Sequence, residues 1–244
     1  MVRLSVNVNK VATLRNSRGG RVPSVIDAVA VCAGAGAPGI TVHPRADRRH
    51  ITAEDVREIA GFLRAHWPKV EFNIEGDPRS DLLSLVREIR PVQCTLVPVA
   101  PGEITSQAGW RPEAAAGLPA IVDDFRRHGV RVSLFVDPHA APIEWAASIG
   151  ADRIELYTEP YARAFEAGPV EADRVLHAYA DAARLAVSSG LGVNAGHDLD
   201  LDNLVLFRSL PGLAEVSIGH ALISRAVFRG LDVVVREYLE VLRA

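Results

Sequence analysis

Eight short β-rich runs alternate with helical patterns along this chain, and that alternation limits the fold more than any other feature of the sequence. The runs fall at 4–8, 40–42, 70–74, 93–97, 131–136, 153–156, 192–194 and 214–218. They are rich in β-branched residues or alternate apolar with polar, as strands do. Helical spacing follows each of them, at 24–33, 52–66, 80–87, 118–128, 142–149, 171–188, 201–207 and from 220 to about 242. Ser24 reads as an N-cap, and Thr52-Ala53-Glu54-Asp55 as a capping box. Gly129, Gly150 and Gly190 stop helices. Asn9-Lys10, the polar stretch 15–20, the long stretch 98–117 and the stretch 157–169 read as loops. Strict alternation implies a parallel sheet with helices outside it. Eight units in 244 residues predict an α/β fold of the TIM (β/α)8 barrel class, as one domain over 1–244. An open doubly wound sheet competes. No Gly-x-Gly-x-x-Gly follows the first strand, and the count of eight suits closure.

Composition narrows the function classes. A net charge of −3 argues against general nucleic-acid binding, so any basic character must be local. No leader-like segment precedes the first strand and no apolar stretch reaches about 18 residues, so a cytoplasmic protein without membrane contact is expected. Cys32 and Cys94 are the only cysteines and lack a metal-ligand spacing. Lys10 and Lys69 are the only lysines, which leaves little room for Schiff-base chemistry.

A barrel of this class carries its active site at the C-terminal ends of its strands. Those positions hold Asn7, Asn9 and Lys10 after strand one, His43 and Arg45 after strand two, and Glu75 after strand three. Thr105 lies along the loop after strand four, Glu155 near the end of strand six, His197 after strand seven, and Gly219 and His220 after strand eight. Glu155 sits between Ile154 and Leu156, so it should point into the barrel, where an unpaired acid is costly. The stretch 40–50 stands out because a strand feeds directly into His43, Arg45, Asp47, Arg48, Arg49 and His50. His66, His128, His139 and His177 fall on helices or their ends and read as surface residues. His43 and His50 do not have a known metal-ligand spacing. Phosphate is the ligand most clearly indicated. Asn194-Ala195-Gly196-His197 and Ser217-Ile218-Gly219-His220 occupy the loops that commonly bind it, and Arg18 and Arg45 could serve the same or a second phosphate.

The stretches Val6-Asn7-Val8, Ala12-Thr13-Leu14-Arg15-Asn16-Ser17-Arg18-Gly19, Gly39-Ile40-Thr41-Val42-His43-Pro44-Arg45, Asp47-Arg48-Arg49-His50-Ile51-Thr52, Phe72-Asn73-Ile74-Glu75, Leu96-Val97-Pro98, Val193-Asn194-Ala195-Gly196-His197 and Ile218-Gly219-His220-Ala221 resemble, in the same order, the pyridoxine 5'-phosphate synthase family. The resemblance implies a TIM barrel with extra helices, assembled as a homo-octamer, with no metal or organic cofactor. It implies condensation of 3-amino-2-oxopropyl phosphate with 1-deoxy-D-xylulose 5-phosphate to pyridoxine 5'-phosphate, phosphate and water. Carried over by position, His43 is a general base, Glu75 a second proton acceptor, His197 a general acid and Glu155 a transition-state stabiliser. Asn7, Arg18, Gly219 and His220 contact the amino-ketone phosphate. Arg45, His50 and Thr105 contact the deoxyxylulose phosphate, as do Asn9 and Lys10, and Asp198 occupies a substrate-binding position whose backbone amide would meet phosphate. Asn9-Lys10 stands where the better-known pattern has Asp-His, and Asp198 where it has glycine. The loop reading Val99-Ala100-Pro101-Gly102 lacks that pattern's charges. The competing readings are a sugar-phosphate aldolase or epimerase and a phosphate-binding barrel without catalysis.

Overall fold

The computed structural model describes residues 1–99 and 108–243. Strands β1 (Arg3–Asn7), β2 (Gly39–Val42), β3 (Glu71–Gly76), β4 (Gln93–Leu96), β5 (Arg131–Val136), β6 (Arg153–Leu156), β7 (Gly192–Gly196) and β8 (Leu213–Ile218) pair in sequence order, all parallel. β8 closes onto β1 with Ser5 opposite Ser217. This is the closed barrel expected from the alternation. Helices α1 (Asn9–Asn16) and α2 (Val25–Gly34) follow β1, and α3 (Ala53–His66), α4 (Ser80–Ile89), α5 (Leu118–Arg127) and α6 (Ala140–Ser148) follow the next four strands. The rest are α7 (Glu159–Ala167) and α8 (Pro169–Ser188) after β6, α9 (Leu204–Phe207) after β7, and α10 (His220–Arg229) and α11 (Leu231–Arg243) after β8.

Each strand sends alternate side chains to opposite faces. The outward set is apolar: Leu4, Val6, Ile40, Val42, Ile74, Leu96, Leu134, Ile154, Val216 and Ile218 are fully buried in the core cluster they share with the helices. The inward set is polar. Ser5 Oγ and Thr41 Oγ1 lie 2.6 Å apart, Asn73 donates to Thr41 Oγ1 at 3.3 Å, and Thr95 donates to Asn73 Oδ1 at 3.1 Å. Several bonds join strands that are not neighbours and therefore span the lumen. Gln93 of β4 donates to Glu215 of β8 at 3.3 Å, and Arg131 of β5 pairs with Glu71 of β3 at 2.5 Å. Asn194 of β7 donates to Gln93 Oε1 of β4 at 3.4 Å. Buried polar groups persist only when paired in this way.

The caps behave as the sequence suggests. Ser24 Oγ accepts the Asp27 amide at 3.1 Å, and Thr52 and Asp55 form a reciprocal capping box at the start of α3. Three expectations need correction. Asn9-Lys10 and Arg15-Asn16 are not loop but part of α1, because Asn7 Oδ1 accepts the Asn9 amide at 3.0 Å and Val11 and Ala12 bury against the barrel. That apolar pair is too short to register as a helical period. The stretch 157–169 contains α7, which has Pro160 in its first turn, a position proline tolerates, and buries Tyr161 and Ala164 three residues apart. The final helix is two, because Gly230 takes φ +90° and stops α10.

The outward apolar set dominates stability. Ile40→Ala is expected to cost about 2–5 kcal/mol in urea unfolding. Val170→Ala, at a site 85% exposed on α8, should stay within about 0.5 kcal/mol of the parent.

Candidate active site

The C-terminal ends of the strands surround a cavity of about 810 Å³. Of the residues proposed from sequence, Asn7, Asn9, Lys10, His43, Arg45, His50, Glu75, Glu155, His197, Asp198, Gly219 and His220 all line it. Arg18 does not. It lies past the end of α1 and is exposed, because eight helical residues carry the chain roughly 12 Å from the strand end. Thr105 lies outside the described residues. His66, His139 and His177 are exposed and His128 half-buried, all outside the cavity lining.

His43 follows β2 directly and is 8% exposed. Its Nε2 is buried without a hydrogen-bond partner, as is Nδ1 of His50. The two rings meet edge to face with centroids 6.2 Å apart. Burial, with His50, Arg45, His197 and Arg79 nearby, holds the His43 pKa well below the usual imidazole value. Burial, together with Arg45 and Lys10, lowers His50 to about 4. Both rings are therefore neutral at physiological pH and able to accept a proton.

The carboxyl groups are shifted the opposite way. Glu75 on β3 accepts from Ser217 Oγ at 3.3 Å and from Asn7 Nδ2 at 3.5 Å. Burial outweighs the Ser217 bond and, with Glu215 beneath it, pushes Glu75 up to about 8. Glu155 on β6 is raised well above the carboxylate range by burial and by the proximity of Glu75 and Glu215. Two acids in one dry cavity disfavour each other's ionisation, so the pair retains protons near neutral pH.

His197 ends the β7 turn with φ +62°, a conformation non-glycine residues seldom adopt. The adjacent Gly196 could not be replaced without conflict, because a Cβ there would lie 2.5 Å from the Ser217 carbonyl oxygen and 3.3 Å from Glu155. Burial lowers the His197 pKa, Asp198 opposes that, and Lys10 adds to it. The Asp198 amide already donates to the Gly196 carbonyl at 2.9 Å and to Thr158 Oγ1 at 3.3 Å, which leaves its carboxylate as the part available to a ligand. Gly219 packs against Asn7, with a Cβ there falling 3.1 Å from the Asn7 Cβ. α10 starts at the cavity, and its first intrahelical bond runs from the Ile223 amide to Gly219 at 2.9 Å, so earlier amides remain open to an anion.

One wall was missed by sequence reasoning. Glu159, Arg163 and Glu166 of α7 line the cavity, as do Asp200 and Asn203. The Glu159–Arg163 pair, four residues apart, was the available signal, and a proline at the second position obscured the helix it belongs to. Lys10, Arg45, Arg49 and Arg163 place cations at the mouth, where an anionic substrate can meet them, among the acids Glu159, Glu166, Asp198 and Asp200.

The family described as pyridoxal phosphate biosynthesis protein PdxJ matches residues 4–244. A pyridoxine 5'-phosphate synthase of Xanthomonas axonopodis pv. citri is 52% identical, over 99% of this chain and 97% of its own. One from Bacteroides fragilis is 49% identical over the full length of both. Among solved structures, thiamine phosphate pyrophosphorylase from Pyrococcus furiosus superposes with a TM-score of 0.62 at 14% identity, over 99% of this chain and 96% of its own, a likeness of fold alone.

The raised Glu75 has a stability consequence. Its carboxyl must ionise more readily unfolded than folded, so it destabilises the fold progressively as pH rises from about 4.5 to about 8. Glu75→Gln should match the parent near pH 4 and exceed it in urea midpoint at pH 8.5, by on the order of a few kcal/mol.

Proposed function

The chain belongs to the pyridoxal phosphate biosynthesis protein PdxJ family, and on that premise we propose that it is a pyridoxine 5'-phosphate synthase whose barrel mouth works by general acid/base catalysis. The substrates are 3-amino-2-oxopropyl phosphate and 1-deoxy-D-xylulose 5-phosphate. What carries this reading is one juxtaposition: neutral His43, whose buried Nε2 has no partner, lines the same cavity as the proton-retaining carboxyls of Glu75 and Glu155. A condensation that forms an imine, expels water and phosphate and closes a ring must move protons in both directions. The amine of one substrate attacks the ketone of the other, so no lysine nucleophile is needed.

Each residue has a role that its environment supports. His43 takes a proton as general base. Glu75, protonated at rest, first gives up its proton and then accepts another. Glu155, neutral in its dry position, donates a hydrogen bond to charge that develops on the substrate. His197 acts as general acid once substrate phosphate brings negative charge into the mouth and lifts its pKa against burial. Asn7, Gly219, His220 and the open end of α10 hold the amino-ketone phosphate, and Arg45, His50 and Lys10 face the deoxyxylulose phosphate. Arg18 reaches no part of this cavity from its own chain.

The chain works in the cytoplasm as a single-domain protomer of a homo-octamer. The exposed Val227 and Phe228 on α10 offer apolar surface for such assembly. No helix among the described residues is long and apolar enough to cross a membrane.

Purified protein given both substrates with a chelator present should release pyridoxine 5'-phosphate and phosphate in equal amounts, and the reading fails if both substrates bind and no product forms. His197→Ala is expected to lower kcat by about 10²–10⁴-fold while phosphate affinity changes little. Because His43 titrates well below the ordinary 6.5, the acid limb of kcat/KM should lie well to the acid side of pH 6.5, and activity should hold at pH 7.

A further inference from the structure

The loop between β2 and α3 carries His43 at its first position and His50 near its last, and helix α1 holds it at both ends. At the start, the His43 amide donates to Asn9 Oδ1 at 2.9 Å. Asn9 is itself held, its own amide donating to Asn7 Oδ1 at 3.0 Å. At the far end, the His50 carbonyl accepts from Asn16 Nδ2 at 2.8 Å and from Arg15 Nη2 at 3.5 Å. Arg15 grips Asp55 with two bonds, at 2.5 and 2.9 Å, and both side chains are largely buried, 15% and 8% exposed. The same Asp55 carboxylate accepts the Thr52 amide at 2.8 Å in the capping box of α3. One buried ion pair thus ties α1, the loop's end and the first turn of α3 together. Between the anchors the loop turns through Arg48 at φ +53° and is steadied by Arg79, which donates to the Pro44 carbonyl.

Neither His43 Nε2 nor His50 Nδ1 has a partner among the described residues, so these ring atoms do not supply the orientation. An imidazole is ordinarily aimed by a hydrogen bond on its second nitrogen or by its backbone, and here the backbone is the part that is clamped. Asn9 lines the cavity, and its Oδ1 is engaged by the His43 amide.

We propose that Asn9 and Arg15 are positioning residues of the acid/base site: Asn9 sets His43 through its amide, and Arg15, with Asp55, sets His50 through its carbonyl. This rests on the mouth being the catalytic site, and it reassigns Asn9 from substrate ligand to support of the base. An aspartate at position 9 would preserve the acceptor, which accounts for how the better-known Asp-His pattern and this chain's Asn9-Lys10 can share one geometry.

The test compares Asn9→Leu, which removes the acceptor, with Asn9→Asp, which keeps it. Asn9→Leu should lower kcat by about 10²-fold with the KM of either substrate changed little, because a base displaced by about 1 Å loses that much. Asn9→Asp should retain most of kcat and move the acid limb to higher pH, since a new negative charge is added beside an imidazole otherwise faced by His50, Arg45, His197 and Arg79. Arg15→Lys, which loses the two-pronged grip, should raise the KM for the deoxyxylulose phosphate more than it lowers kcat. The proposal is overturned if Asn9→Leu raises KM at unchanged kcat, or if the Leu and Asp variants are equally impaired. NMR titration of the His43 ring gives a readout that does not need turnover: its pKa must move upward in Asn9→Asp, and an unmoved value sinks the clamp even if the parent proves inactive with these substrates. A parent that shows no turnover while its His43 ring responds as expected instead overturns the synthase reading.

Discussion

The structure depends on a closed lumen whose polar side chains satisfy one another across it. Gln93 reaches Glu215 and Arg131 reaches Glu71 between strands that never pair. Each such bond fixes the relative heights of two distant strands, which ladder hydrogen bonds alone do only for neighbours. A polar interior of this kind is tolerable because its donors meet acceptors, since an unmatched buried amide or carboxyl costs several kcal/mol. The apolar half of each strand then has only one place to go, outward beneath the helices.

That arrangement also sets the chemistry at the mouth. The lumen delivers Glu75 and Glu155 into a dry space with Glu215 below, so their protons are held more tightly than in water. The same dryness strips charge from His43, His50 and His197. Bases that are neutral and acids that are protonated, side by side, are what proton shuttling at neutral pH requires. The pattern follows from burial first and individual charges second.

The loop after β2 shows how a site residue comes to depend on elements far from it in the chain. His43 and His50 are presented by backbone anchors on α1, 34 or 35 positions away in numbering, as the Asn9–His43, Asn16–His50 and Arg15–His50 contacts require. Helix α7 similarly closes the opposite wall with Glu159 and Arg163. Neither helix was legible beforehand. α1 buries only Val11 and Ala12, and α7 has a proline at its second position and buries only Tyr161 and Ala164, so neither has an apolar period long enough to stand out from a loop.

Much else was legible. Alternation of period 2 with period 3.6 implied the barrel, because few architectures bury both patterns in strict succession. Strand ends named twelve of the residues that line the cavity, because every parallel strand delivers its last side chains to the same rim. Glu155 announced its inward direction by sitting between two apolar residues. Arg18 did not reach the cavity, since proximity in sequence to β1 says nothing about where a helix will carry the chain. Residue type and order therefore determined the fold class, the inventory of reactive groups and the family. Only the tertiary structure decided their protonation and their supports, because both depend on burial and on contacts between segments whose separation along the chain carries no distance information.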